Sequence, residues 1–412
     1  MTYIKPETSN QLPTSVREVL YLGSAAARQQ DWLSVNNYLK LLPQTQSHKA
    51  KQFALNPQDW QTAFNLATLM LIEADFQHKW SITKLFPLFG EEIITPLATI
   101  VKDETTEADV RWFICQILGN FNSEIVILTL VEVLQQTKDP ELIEIAGKTL
   151  TKIGNDAIGA LEDLLTQPEY RLLAVQSLFY IRTAETIEPL LLVAGDNDPQ
   201  LRAIAIKALG SFHDSRIAPV LITALQDKAS NVRLEAAIAL GFRPDLVDKL
   251  DLIAHLRPLL FDLNLEVCRQ TAVSLGRMKR ESATKALFEV LVADTTPVAL
   301  KLDLVKALGW SEISPAIDCL AIALTGSSAA VTQEIITSLG RISVPELKLQ
   351  ASRVLINYWQ ENLQLSPQLK QALATSLGEL RCSCAGETLK QLTKDSDRKV
   401  QLHALSALKK VL

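Results

Sequence analysis

Few residues in this chain are of a type that does chemistry, and their spacing narrows what they could do. Cys382-Ser-Cys384 presents two thiols suited to metal binding or redox exchange. Zinc needs about four ligands at matching spacings, and the histidine nearest in sequence is His403, so an inert pair of thiols is expected. His48, His78, His213 and His255 show no metal-ligand spacing. There is no phosphate-cradling Gly-x-x-x-x-Gly-Lys loop, no Gly-x-Gly-x-x-Gly fingerprint and no Gly-x-Ser-x-Gly elbow. No catalytic residue, metal site or cofactor is therefore expected.

Charged residues in a fixed register are more informative. Arg111, Arg202, Arg233, Lys301 and Lys370 each stand eight residues before a recurring glycine position. A ladder of bases could grip an acidic partner. The expected role is architectural, because a planar arginine fork suits the turn acid and carbonyls of a neighbouring repeat. Two positions further on come Glu235, Gln270, Asp303 and Glu334 in four successive repeats. With Lys207, Arg269 and Lys306, and with Leu234, Ile238 and Leu302 beside them, they form a track of mixed character. The predicted partner-binding set is Arg202, Lys207, Arg233, Glu235, Arg269, Asp303, Lys306 and Glu334. Trp112, Trp310 and Trp359 lie on or beside repeat helices and are expected in the core, with Trp310 the most exposed.

These residues are positioned by an internal repeat. Asp198-Pro-Gln-Leu-Arg-Ala-Ile-Ala-Ile-Lys-Ala-Leu-Gly210 is followed by Ser230-Asn-Val-Arg-Leu-Glu-Ala-Ala-Ile-Ala-Leu-Gly241, each apolar at helical spacing. The glycine position recurs at Gly119, Gly154, Tyr180, Gly210, Gly241, Gly276, Gly309, Gly340 and Gly378, with a degenerate copy at Lys409. A turn and a second apolar helix follow each, often with proline in the first turn, as at Pro189 and Pro219. Glycine is expected to end each helix as a left-handed cap. A two-helix unit cannot bury its faces alone, so the pattern predicts an all-α fold, an α-solenoid superhelix of about ten HEAT-like two-helix repeats. The array is placed at residues 51–412, behind an N-terminal hairpin cap at 1–50 formed by Val16–Arg28 and Leu33–Leu42. Pro43 to Lys51 reads as a linker, and Asn56-Pro57 opens the next helix.

Composition agrees. Of 412 residues 48% are hydrophobic and 21% charged, so the chain folds. A net charge of -5 argues against a surface that neutralises many phosphates. The basic excess from Arg381 onward reads as a solvated final helix pair. Nothing at the amino terminus has signal-peptide form and no apolar run is long enough to cross a bilayer, so a cytoplasmic protein is expected.

The pattern of Asp, Val-Arg, spaced alanines and Leu-Gly resembles HEAT repeats of the phycobilisome-lyase type, over roughly Glu91 to Leu412. The resemblance implies that the Leu-Gly helix is the second of each pair and lines the concave face. Its members include bilin lyase subunits, a phycobilisome-degradation factor and adaptors. The chain is expected to be a non-catalytic scaffold holding a protein partner, which the resemblance suggests is a phycobiliprotein or another HEAT-repeat subunit. A bilin lyase or bilin chaperone is the alternative. A nucleic-acid glycosylase on a similar frame is third, since it would need a basic groove.

Overall fold

The computed structural model describes residues 15–46, 51–362 and 364–411. The amino-terminal stretch ahead of Ser15 and His48 thus lie outside the described residues. The chain forms two compact units, one ending at Pro189 and one starting at Leu190.

In the first unit Val16–Arg28 and Trp32–Lys40 form a helical hairpin, with Asp31 capping the second helix by accepting from the Ser34 backbone N–H at 3.1 Å. Both helices pack on the pair Pro57–Glu73 and Phe76–Thr83. The segment read as a linker instead begins and ends in a short antiparallel ribbon, Gln44–Gln46 pairing with Lys51–Phe53. Asn56 caps the following helix through the Asp59 N–H at 2.9 Å, with proline at its first position, as its sequence requires. Three more helix pairs follow, with Ala108–Leu118, Pro140–Ile153 and Arg171–Ile181 as their second helices.

In the second unit the second helices are Pro199–Leu209, Ser230–Gly241, Leu265–Arg277, Val298–Ser311, Ala329–Gly340, Pro367–Leu380 and Arg398–Val411. Each packs directly on the next. One stripe of every helix is buried: Val232, Ala236, Ala237 and Leu240 in one, Leu300, Leu304, Val305 and Leu308 in another. Burying each such leucine contributes about 2 kcal/mol, which an isolated pair could not obtain.

Gly154 ends its helix with φ 82°, as expected, but other repeat glycines work differently. Gly210 has φ -57° and Gly119 φ -65°, while Gly276, Gly309 and Gly378 lie inside their helices. Their value is the missing side chain. A methyl group on Gly210 would lie 2.6 Å from Cβ of Ala239, one on Gly276 2.6 Å from the Ala307 carbonyl oxygen, and one on Gly378 2.7 Å from Cβ of Ala407. Each glycine meets a small residue two places before the next repeat's glycine position.

The left-handed residue comes three places later, at Lys279, Glu312 and Arg381. In the first unit Gly154 and Arg182 are the left-handed residues that follow repeat second helices, which puts the equivalents of the repeat glycine at Thr151 and Phe179. Gly154 and Tyr180 were therefore out of register. Thr149, two places before Thr151, is the residue that Gly119 meets, at 2.7 Å from an added methyl.

Candidate functional site

Three of the ladder bases, Arg202, Arg233 and Lys370, sit at the joins between repeats. Arg202 Nε and Nη2 donate to Asp227 Oδ2 and Oδ1 at 2.8 and 2.7 Å, and Nη1 donates to the carbonyls of Asp196 and Asn197 at 2.7 and 3.0 Å. Arg233 repeats this arrangement with Asp262 at 2.7 and 2.8 Å, and with the Asp227 and Lys228 carbonyls at 2.7 and 3.1 Å. Lys370 donates to Asp395 at 2.7 Å. Each acid is held by its own turn, since Asp227, Asp262 and Asp395 accept from the backbone N–H two residues on. The Arg233 guanidinium holds the Asp262 carboxyl below the usual range, and Lys370 does the same for Asp395. Arg111 differs, its Nε donating to the Val101 carbonyl at 2.8 Å, and Cys268, which stands eight residues before Gly276, donates its Sγ–H to the Asp262 carbonyl at 3.1 Å.

The remaining predicted residues lie together on the solvent side of the second helices. Lys207 reaches Glu235 at 3.4 Å, Arg269 Nε lies 3.0 Å from Asp303 without hydrogen-bond geometry, and Lys306 lies 3.5 Å from Asp303. Glu334 lies 3.8 Å from Arg341. Gln270 turns to Glu266 at 3.0 Å. Leu234, Ile238 and Leu302 are half-buried among them. Ion pairs at 3.0–3.8 Å without two-pronged geometry, on partly exposed side chains, are worth about 0–1 kcal/mol each. The shielded joins and the more exposed strip thus divide the predicted set, with Arg202 and Arg233 in the first and the other six in the second.

Sequence reasoning missed the neighbourhood of Arg341. It lines a cleft of about 230 Å³ with Gly309, Trp310, Glu312 and Ser338, where Trp310 is 54% exposed. The only early signal was tryptophan directly after a repeat glycine. Trp359 is buried and Trp112 half-buried.

The cysteine expectation is corrected at one point. Cys382 and Cys384 form a disulfide, their Cα atoms 5.3 Å apart, because the chain turns sharply after left-handed Arg381. Burial pushes the Cys115 thiol up to about 12, so it is no nucleophile. Among the described residues no helix is long and apolar enough to cross a membrane.

Comparison with known proteins agrees with the fold. The HEAT-repeat family matches residues 94–178 and 187–273. A search of curated proteins found no match. Importin beta shares 12% identity over 96% of this chain and 62% of its own, with a TM-score of 0.52. The karyopherin Kap121p bound to the extreme C-terminus of the protein phosphatase Cdc14p shares 16% over 97% and 55%, with a TM-score of 0.51. A homology model of the AP-3 complex shares 10% over 96% and 80%, with a TM-score of 0.57. Identities this low speak to fold alone. The chain carries HEAT repeats in an α-solenoid fold, and it spans little more than half the length of the importin and karyopherin chains it matches.

Proposed function

We propose that this protein is a non-catalytic scaffold that holds a protein partner along the strip formed by Lys207, Glu235, Arg269, Asp303, Lys306 and Glu334. The observation that carries the reading is the contrast between two sets of ion pairs. Those at the joins are 2.7–2.8 Å, bidentate for arginine and shielded, whereas those on the strip are 3.0–3.8 Å, lack a two-pronged geometry and involve more exposed side chains. A fold that already secures its joins has no structural need of the strip. Mixed charge interleaved with half-buried leucine and isoleucine is the composition of a recognition surface. Arg202 and Arg233 support the strip from behind by fixing the repeats that carry it. The strip is taken as the concave side, and the cell compartment as the cytoplasm.

The test is affinity capture of the tagged chain from extract of its own cells, with mass spectrometry and an absorbance spectrum of the eluate. A colourless partner at stoichiometric yield, lost in the variant Glu235→Lys, Asp303→Lys, Glu334→Lys with unchanged circular dichroism, supports the scaffold. A partner retained by that variant removes the strip from the reading. Bound tetrapyrrole or co-eluting phycobiliprotein would instead favour the bilin lyase or chaperone, and with it the phycobilisome-lyase subtype of the repeat.

A further inference from the structure

The first unit carries an aromatic surface that its core does not use. Phe76 and Trp80, one helical turn apart, are 63% and 42% exposed. Their rings lie nearly parallel, 18° between planes, with centroids 6.5 Å apart. Trp112, on the next second helix, continues the surface at 6.5 Å from Trp80, and Phe113 closes the floor at 5.2 Å from Phe76. Beside these rings is a cleft of about 440 Å³ whose other walls include Asp109, Asp139 and Glu141.

The charge around the cleft is unbalanced. Lys79, 3% exposed, donates to Asp109 at 2.7 Å and so answers one carboxylate. The N-termini of Ala108–Leu118 and Pro140–Ile153 each add about half a positive charge. Asp139 is engaged in capping the second of these, accepting from the Glu141 N–H at 2.9 Å. Glu141 stands exposed at the mouth, and Glu107 is a further exposed acid, 3.9 Å from the Lys79 ammonium. The rim thus stays negative beside open aromatic faces. A cation is attracted both by the faces of Trp and Phe rings and by carboxylates, and arginine, being flat and weakly hydrated, is the side chain that most often exploits both.

We propose that the cleft bordered by Phe76, Trp112 and Glu141 receives an arginine side chain of a basic protein segment. The guanidinium lies against the aromatic surface and its N–H groups turn to Glu141. This surface is separate from the strip of the proposed scaffold and stands whether or not that reading holds.

The experiment uses the full chain and a fluorescently labelled acetyl-(Gly-Arg)3-amide peptide, followed by anisotropy at low salt. Its controls are peptides with citrulline or leucine in place of arginine. The expected result is binding of the arginine peptide about tenfold tighter than either control. It weakens about fivefold in Phe76→Ala and again in Glu141→Lys, both surface changes that leave circular dichroism unchanged. The variant Glu235→Lys, Asp303→Lys, Glu334→Lys binds it as the natural chain does. Equal binding of the citrulline or leucine peptide overturns the proposal. So does absence of binding, indifference to the Phe76 and Glu141 changes, or loss in the triple variant, which would place the peptide on the strip.

Discussion

Arg233 and Asp262 form a two-pronged ion pair between consecutive repeats, with Nε–Oδ2 at 2.7 Å and Nη2–Oδ1 at 2.8 Å. Their side chains keep only 17% and 7% of their exposure. Removing the acid leaves a shielded guanidinium without its main partner. Asp262→Ala is expected to lower stability by about 2–3 kcal/mol, measured by urea unfolding followed by circular dichroism. The double variant with Arg233→Ala should cost less than the two single changes added together. Strict additivity would mean that the pair does not couple the repeats.

The same pair sets a dependence on acid. Asp262 is depressed in the folded state, so it binds protons less readily there than in the unfolded chain. Its contribution is complete above the unfolded value of about 4 and is lost as pH falls through the lower folded value. Asp395, depressed by Lys370, acts in the same direction. Unfolding midpoints taken from pH 6 downward should therefore drop steeply below about pH 4. In Asp262→Asn the drop should be shallower and begin from a lower plateau. A parallel profile would assign the acid sensitivity elsewhere.

Close approach at the glycines makes a sharper prediction than helix propensity does. At Gly276 an added methyl meets a backbone oxygen that cannot swing aside, so Gly276→Ala should cost about 2 kcal/mol or more. At Gly159, also helical, an added methyl meets nothing within 4 Å. Gly159→Ala should raise stability by up to about 1 kcal/mol. Thermal unfolding of the two variants should shift in opposite directions, and a common direction would show that packing does not govern the repeat glycine.

Arg182 occupies the left-handed region, φ 53°, where a side chain is disfavoured. Arg182→Gly is expected to stabilise the chain by about 0.5–1 kcal/mol after allowing for the greater freedom of glycine when unfolded. A loss of stability in chemical denaturation would mean that the arginine side chain makes a contribution larger than its backbone cost.

Much of the fold was legible because it rests on local rules. Leu-Gly at the end of an apolar helix, proline in the next first turn and polar caps such as Asp31 and Asn56 all act within a few residues. The ladder could be read too, since Arg202 and Arg233 precede turns whose aspartates come from a neighbouring repeat in the same register. The register itself slipped at Gly154 and Tyr180. There the neighbour-facing position is occupied by Thr151 and Phe179, and the residue three places on, Gly154 in one repeat and Arg182 in the other, marks the turn rather than the close approach. Sequence alone does not separate these two uses of glycine, because one concerns φ and the other the distance to a different helix.

What the sequence by itself determined is the period, the buried stripe of each helix and the common face carrying Glu235, Asp303 and Glu334, since each depends on spacing along one helix. Tertiary structure alone decided which charges became shielded joins and which stayed more exposed. It also decided the meeting of Phe76 and Trp80 with Trp112, the Arg341 cleft beside Trp310, and the closure of Cys382 on Cys384. Distances between side chains on successive helices depend on how closely those helices approach, and that approach is set by the small residues between them.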